Sequence, residues 1–501
     1  MKKLFVLILL FSISITAQNK RAMTFDDLWS MKRIGTVTLS ADGKTIAFNS
    51  TIFNYDENKG NSDIYLMNSD GSNLRVFKNS EKNESSPSFS PVGNKVAYTL
   101  SGQIWISDID GSNPIQLTNL SGGASGISWS PDGSKILFVS DVYPECATDD
   151  CNKQKDEAKE KSKVKASIFT ELMYRHWDGW RGEKRSHLFM VDVASKEAVD
   201  LTLFSKFDVP PISLGSAKDY SFSPDGKEIA FVMNTDEFLA TSTNNDIFLI
   251  NVNEIKKGEK TPFTRLTENK GNDNQPVYSP DGRYIAFTSM ARAGFEADKQ
   301  RVMLFDRVKK NFKDLTTNFD RSAYELVWSP DSKTIYFNAD NEVHQSVYKL
   351  DITTQKIETL LKEYSSSGLL VSNSNKLYFK QQRTTLPFEI FSLNPDGSNL
   401  TQLSFVNKDL LAQLEMNPME TFWAKGAGGT PVQSMIVKPP FFDPNKKYPM
   451  IFLIHGGPQS NWADDFHYRW NQQKFASKGY VVVSPNPRGS TGYGQKFTDE
   501  I

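Results

Sequence analysis

Cysteine is nearly missing from these 501 residues: there are two, Cys146 and Cys151. Two cysteines cannot build the disulfide framework of a small secreted scaffold. Histidine is scarce as well, five in all, and no His/Cys/Asp/Glu group has metal-ligand spacing. No glycine loop has the spacing that cradles phosphate. Neither a metal nor a cofactor is expected. No sign of charge prevails: 58 Lys and Arg stand against 59 Asp and Glu, a net charge of −1. That balance gives no electrostatic reason to expect nucleic acid or an anionic membrane surface as partner. After Ile15 no segment is apolar enough to span a membrane. What is present, 12% aromatic residues and an ordinary charged fraction, describes a folded chain. Its length implies two or more domains, or one large repeat domain plus another.

The one apolar run, Leu4 to Ile15, follows Lys2-Lys3 and precedes Thr16-Ala17-Gln18. A basic start, a short apolar stretch and a small residue make a signal peptide over 1–17, cleaved after Ala17. The alternative is an uncleaved anchor. No Cys stands behind the run, which argues against a lipoprotein. The expected location is therefore exported, periplasmic or extracellular, where disulfides persist. Cys146 and Cys151 are expected to form a local disulfide, whose small loop contributes about 2 kcal/mol. Two free thiols are the alternative.

One pattern recurs through most of the chain: an aromatic or apolar residue, Ser-Pro-Asp-Gly, a polar step, then an apolar strand. Copies are "SFSPVGNKVAY" (88–98), "SWSPDGSKILF" (128–138), "SFSPDGKEIAF" (221–231), "VYSPDGRYIAF" (277–287) and "VWSPDSKTIYF" (327–337). Weaker copies are "TLSADGKTIAF" (38–48) and "LVSNSNKLYF" (370–379). Their serines are 40, 90, 130, 223, 279, 329 and 372, mostly 40 to 56 residues apart. Pro presets the first turn position, Asp bonds its own backbone and Gly accepts positive φ, so each copy is a hairpin turn. A second strand follows each, such as "DIYLM" (63–67) or "DIFLI" (246–250), often then a "DGSN" turn, then a closing Leu-Thr. Four strands per period near 50 predict the blades of a β-propeller over 20–410. Seven blades fit; the 93-residue gap from Ser130 to Ser223 leaves room for an eighth.

That gap holds an insertion, about 141–186. Its first part, "CNKQKDEAKEKSKVKAS", is charged and helix-compatible, a solvated helix or loop. Its second, "FTELMYRHWDGWRGEKR", interleaves Tyr174, His176, Trp177 and Trp180 with Glu171, Arg175, Asp178 and Arg181. So many aromatics either pack on the propeller rim or present a binding surface. His187, His344 and His467 read as structural, the last within a helix.

After about residue 410 the pattern changes. A hairpin is expected over 420–440, bending near Gly426 to Gly429, then an apolar strand at 450–454, a helix over about 464–477 and a strand at 480–486. Strand, helix, strand begins an α/β domain with a largely parallel sheet. The loop behind the first of these strands is His455-Gly456-Gly457-Pro458. Glycines there let backbone N–H groups approach a ligand closely. In α/β-hydrolases a loop of this type supplies one N–H of the oxyanion hole. A tight turn before a helix is the plain alternative.

The propeller repeats, "YPMIFLIHGGPQS" (448–460) and "NPRGSTGYG" (486–494), in this order, resemble the prolyl oligopeptidase family of serine peptidases. The likeness is to its acylaminoacyl-peptidase and dipeptidyl-peptidase 5 branch, secreted bacterial type. It covers the chain behind the signal peptide, and "LMYRHWDGW" (172–180) shares it. The resemblance implies a propeller over an α/β-hydrolase domain with a Ser-Asp-His triad. It places an oxyanion-hole N–H at Gly457, with His455 and Gly456 in the same loop. It implies short peptide substrates, with Glu171 and Asp178 as candidates for holding the substrate's free amino terminus and Arg175 as a further substrate-binding candidate. The nucleophile of such an enzyme stands on G-x-S-x-G. Ser125 has Gly123 before it but Ile127 after it, and Ser490 has Arg488 before it. No such elbow occurs. The segment 411–501 is therefore expected to be the start of the hydrolase domain, incomplete and inactive by itself, since a complete one needs on the order of 200 residues. The competing reading is a TolB-like periplasmic propeller that binds a partner protein, which has no use for 420–501.

Overall fold

The computed structural model describes residues 20–170 and 172–501. The expected signal peptide and Glu171 lie outside them. The described residues hold seven four-stranded antiparallel units in sequence, then a mixed sheet. The first unit is Arg33–Leu39, Thr45–Asn54, Lys59–Asn68 and Arg75–Lys78, paired in chain order. The others repeat this meander, and each serine of the repeat sits in the turn between first and second strands. The third unit interrupts it between its second and third strands, Lys135–Val142 and Arg185–Asp192, which pair along their whole length. The 93-residue gap thus contains an insertion and a long connection, with no eighth unit among the described residues. The sixth and seventh units share one parallel contact, Gln345 beside Ser365.

The turn chemistry explains the repeat. In five copies the Ser Oγ donates to the Asp two residues on at 2.5–2.7 Å, and accepts the N–H five residues on at 2.9 Å. One hydroxyl thus closes the turn onto the second strand. Gly43, Gly133, Gly226 and Gly282 hold φ of +68° to +72°, and Ser332 occupies the same region at +60° in the copy lacking glycine. These hydrogen bonds hold the Asp42, Asp132, Asp225 and Asp331 carboxyls below the usual range; Asp132, which also accepts from Ser134, falls to about 2. The closing Leu-Thr is equally local. Thr118, Thr202, Thr267 and Thr316 accept the N–H of Ile104, Leu188, Ile247 and Val302 at 2.8–3.1 Å.

Period-two alternation lets each unit pack on both neighbours. On the second strand of the first unit, Ala47 packs toward the second unit with Val96 and Tyr98. Its neighbours Ile46 and Phe48 pack on Tyr378 and Ile390 of the seventh. The intervening interfaces follow in order from second to seventh. The packed interfaces therefore run in a cycle, although every hydrogen-bonded sheet remains open.

In the insertion, Thr148 caps a helix over Asp149–Lys161, and Cys146 and Cys151 are disulfide-bonded, Sγ–Sγ 1.98 Å. Two tryptophans of the aromatic part lie open to solvent. Trp177 and Trp180 are 84% and 68% exposed, and Trp180 stacks with Phe169 and Tyr174 at 5.6 and 6.1 Å. Its anchor is Arg181, ion-paired with Asp208 at 2.8 Å.

The last segment forms one sheet: Glu420–Lys425, Pro431–Val437, Val481–Asn486 and, at the edge, Met450–Phe452. The first two are the expected hairpin; the last two are parallel. The apolar strand is shorter than 450–454, since Ile454 has turned out to 74% exposure. The helix is far shorter than 464–477: it spans Gln472–Ala476. The preceding stretch, with His467, is irregular because the ring captures it. Asp464 N–H donates to Val343 O at 2.7 Å and its carboxylate accepts Thr384 N–H at 2.7 Å. Leu28, Met31, Leu414 and Phe466 pack this segment onto the N-terminal residues. Among the described residues no helix is long and apolar enough to cross a membrane.

Candidate active site

Strand Met450–Phe452 pairs with Val481–Asn486 through Ile451 beside Val482, and Leu453 N–H still donates to Val483 O at 2.8 Å. Beyond Leu453 the pairing stops and the chain turns through His455-Gly456-Gly457-Pro458. Gly457 has φ +130°, and a Cβ there would lie 2.5 Å from Gln459 N. Only glycine fits. Gly457 is exposed, and its N–H makes no hydrogen bond among the described residues. It is a free backbone donor at the end of a parallel strand.

The base of this loop is clamped. Trp462 Nε1 donates to Leu453 O at 3.0 Å, its N–H donates to Asn486 Oδ1 at 2.7 Å, and Asn486 Nδ2 returns to Trp462 O at 2.9 Å. Asn486 Nδ2 also donates to the Tyr493 hydroxyl, which donates to Gln433 Oε1 at 2.8 Å.

The loop is also braced by Ser490 and Thr491. His455 Nδ1 lies 2.9 Å from Gly456 O and its Nε2 lies 2.8 Å from Ser490 Oγ. A carbonyl can only accept, so Nδ1 carries a proton, and in the neutral ring Nε2 accepts the Ser490 hydroxyl. Thr491 N–H donates to Ser460 O at 2.9 Å. Thr491 Oγ1 donates to Asp340 of the sixth unit at 3.0 Å, and Glu342 N–H donates to Gly492 O at 2.9 Å. Burial raises the Asp340 carboxyl, with the Thr491 hydrogen bond opposing. Gly492 is required, since its Cβ would meet Glu342 O at 2.8 Å. His455 and Ser490 look like a base and nucleophile, but Ser490 is fully buried and the far ring nitrogen faces a neighbouring carbonyl. Ser490 orients the loop and does not attack substrate.

A cleft of ≈ 470 Å³ is lined by His344, Glu363, Arg383 and Asp464 among others. Burial raises Asp464 and lowers His344; Asp465, buried next to Asp464, rises to about 7.

His455, Gly456 and Gly457 thus stand together. Arg175 and Asp178 are exposed on a short hairpin, Arg175 pairing with Trp180, and no contact joins them to the glycine loop among the described residues. Glu171 lies outside the described residues. Asn486, Ser490, Thr491, Tyr493 and Asp340 were not singled out by the sequence. The signal was "NPRGSTGYG", in which Ser490 is set aside for lacking an elbow. Among the described residues no three His, Cys, Asp or Glu converge to hold a metal.

Residues 466–501 match the family model described as "Prolyl oligopeptidase family". The chain is 31% identical over 482 residues to dipeptidyl-peptidase 5 of Porphyromonas gingivalis, covering 94% of this chain and 69% of that one. With dipeptidyl-peptidase 5 of Arthroderma otae it is 33% identical over 369 residues, 68% of this chain and 50% of that one. The fold resembles acylaminoacyl peptidase of Pyrococcus horikoshii, TM-score 0.74 at 18% identity, covering 96% of this chain and 68% of that one. A second acylaminoacyl peptidase, in complex with Z-Gly-Gly-Phe-chloromethyl ketone, matches with TM-score 0.73 at 19% identity, over 95% of this chain and 68% of that one. With 94% of the chain aligned to the 31%-identical dipeptidyl-peptidase 5 of Porphyromonas gingivalis, and a glycine loop leaving a parallel strand with a free N–H, the chain belongs to the prolyl oligopeptidase family of serine peptidases.

Proposed function

We propose that the intact protein is an exported peptidase that removes dipeptides or acylated residues from short peptides by acyl transfer. The observation that carries this is the unpartnered Gly457 N–H, fixed in place by a clamp and a brace. A serine adds to the scissile carbonyl, a histidine takes its proton, and the negative oxygen that develops accepts the Gly457 N–H. No G-x-S-x-G elbow stands within 1–501, and we propose that these residues by themselves do not hydrolyse peptides. The seven units over 20–410 form a seven-bladed β-propeller; their cyclic packing and the family membership support this. The propeller restricts access to short or unfolded peptides, and 411–501 begins the hydrolase domain. This segment favours the peptidase over a TolB-like binding module.

The insertion leaves the third unit through its second-to-third-strand connection, the same connection that meets the hydrolase segment in the sixth and seventh units. This supports a role for Glu171 and Asp178 in holding the substrate's amino terminus, with Arg175 beside them as a further substrate contact. The test is hydrolysis of dipeptidyl arylamides, free and N-acylated, by the intact protein. Turnover and a single fluorophosphonate label are expected, with a mature N-terminus at Gln18. The variant carrying Glu171→Gln and Asp178→Asn should lose activity mainly on the free substrates. Absence of hydrolysis and labelling refutes the peptidase reading; equal loss on both substrate classes refutes the role of the acidic pair.

A further inference from the structure

The connection between the fifth and sixth units, 315–323, crosses the sixth unit and encloses a cleft of ≈ 520 Å³. Asn318, Arg321, Asn341, Tyr348, Thr359 and Lys362 contribute its polar lining, and no Asp or Glu lines it. Arg321 Nε is sealed from solvent without a hydrogen-bond partner. Among the described residues neither the Arg321 guanidinium nor the Lys362 ammonium makes an ion pair.

Other arginines with a sealed Nε are compensated. Arg33 lies between the rings of Phe53 and Tyr468 at 4.1 and 4.0 Å, and Arg181 pairs with Asp208. Three carboxylates adjoining the cleft in sequence are engaged elsewhere. Asp314 accepts Thr316 N–H at 2.8 Å, Asp320 accepts Gln495 N–H at 3.0 Å, and Asp340 is held by Thr491. Glu363 lines the neighbouring cleft. A half-buried guanidinium without an acceptor is costly to keep. Its planar fork of donors matches a carboxylate or phosphate. The floor is apolar: Phe319 meets Phe337 and Tyr348 edge-on at 5.5 and 5.2 Å.

We propose that this cleft binds a small organic anion, its carboxylate or phosphate held by Arg321 and Lys362 and its apolar body against Phe319. The cleft exceeds what inorganic phosphate alone would fill, so the apolar body contributes to affinity. The test is calorimetric titration of the full chain at low salt with hexanoate, hexanamide and inorganic phosphate. Saturable hexanoate binding is expected, about tenfold or more above hexanamide, as loss of a charge-assisted fork implies. Arg321→Met should weaken hexanoate by a similar factor with an unchanged melting temperature; Lys362→Met serves if that variant is unstable. Phosphate binding that also depends on Arg321 assigns the site to oxyanions in general and retains the proposal. No saturable binding of either anion, or binding indifferent to both variants, overturns it.

Discussion

Glu389 occupies the third strand of the seventh unit and is 1% exposed. Its carboxylate accepts the Ser404 hydroxyl and, at 3.4 Å, the Asn407 N–H. Burial outweighs these bonds and raises it to about 7. A carboxyl raised on folding favours the protonated state. Its stabilisation is complete below its unfolded value, near 4.5, and is lost as pH rises through about 7. Glu389→Gln removes that loss, so its urea midpoint should gain on the parent between pH 5 and 8, by on the order of 2–3 kcal/mol. Parallel curves would disprove the assignment. Asp219 and Asp246, both raised to about 6 by burial, slope the same way in either protein. The turn aspartates were legible because their partners lie within a few residues. Glu389 was not: "EIFSL" reads as an ordinary strand, and only the seventh unit's packing buries its glutamate.

At the scale of elements, the oxyanion role proposed for the His455–Pro458 loop requires rigidity, since an oxyanion donor must stand ready before charge develops. Its rigidity comes from the 486–494 loop, which grips it at His455 and Ser460 and is itself held by the sixth unit. Ser490→Ala in the intact enzyme frees His455 without touching substrate. Its kcat is expected to fall about tenfold, as displacement of a positioned donor implies, with KM nearly unchanged. A KM effect with constant kcat would show instead that Ser490 serves substrate binding. The glycines were legible from local spacing. Ser490, the partner of His455 from 35 residues away, was not, because a serine without an elbow carries no local signal. The helix expected over 464–477 failed for a related reason. Its first half spends its polar groups on the ring, where Phe466 N–H donates to Gln382 Oε1 at 3.3 Å, and so cannot close helical turns.

For the whole molecule, stability depends on the interface between first and last units, which brings together residues over 300 apart in sequence. Phe48 is fully buried there, packed with Met67, Tyr378, Ile390 and Leu403 and stacked on Tyr65 at 5.6 Å. Phe48→Ala should cost about 3–5 kcal/mol, lowering the denaturation midpoint while unfolding stays a single transition. A second, earlier transition confined to the first unit would show that the cycle does not unfold together.

The sequence alone determined the repeating unit, its turns, the hairpin and the glycine loop, because each is written in contacts a few residues apart, where residue type and spacing suffice. The tertiary structure decided what lies beyond that reach. It joined the first unit to the seventh, buried Ser490 so that it braces a loop instead of attacking a substrate, and left Trp177 and Trp180 stacked in the open. Among the described residues it also left Arg321 without a carboxylate. Burial and long-range pairing set these outcomes, and neither is encoded in the neighbours of a residue along the chain.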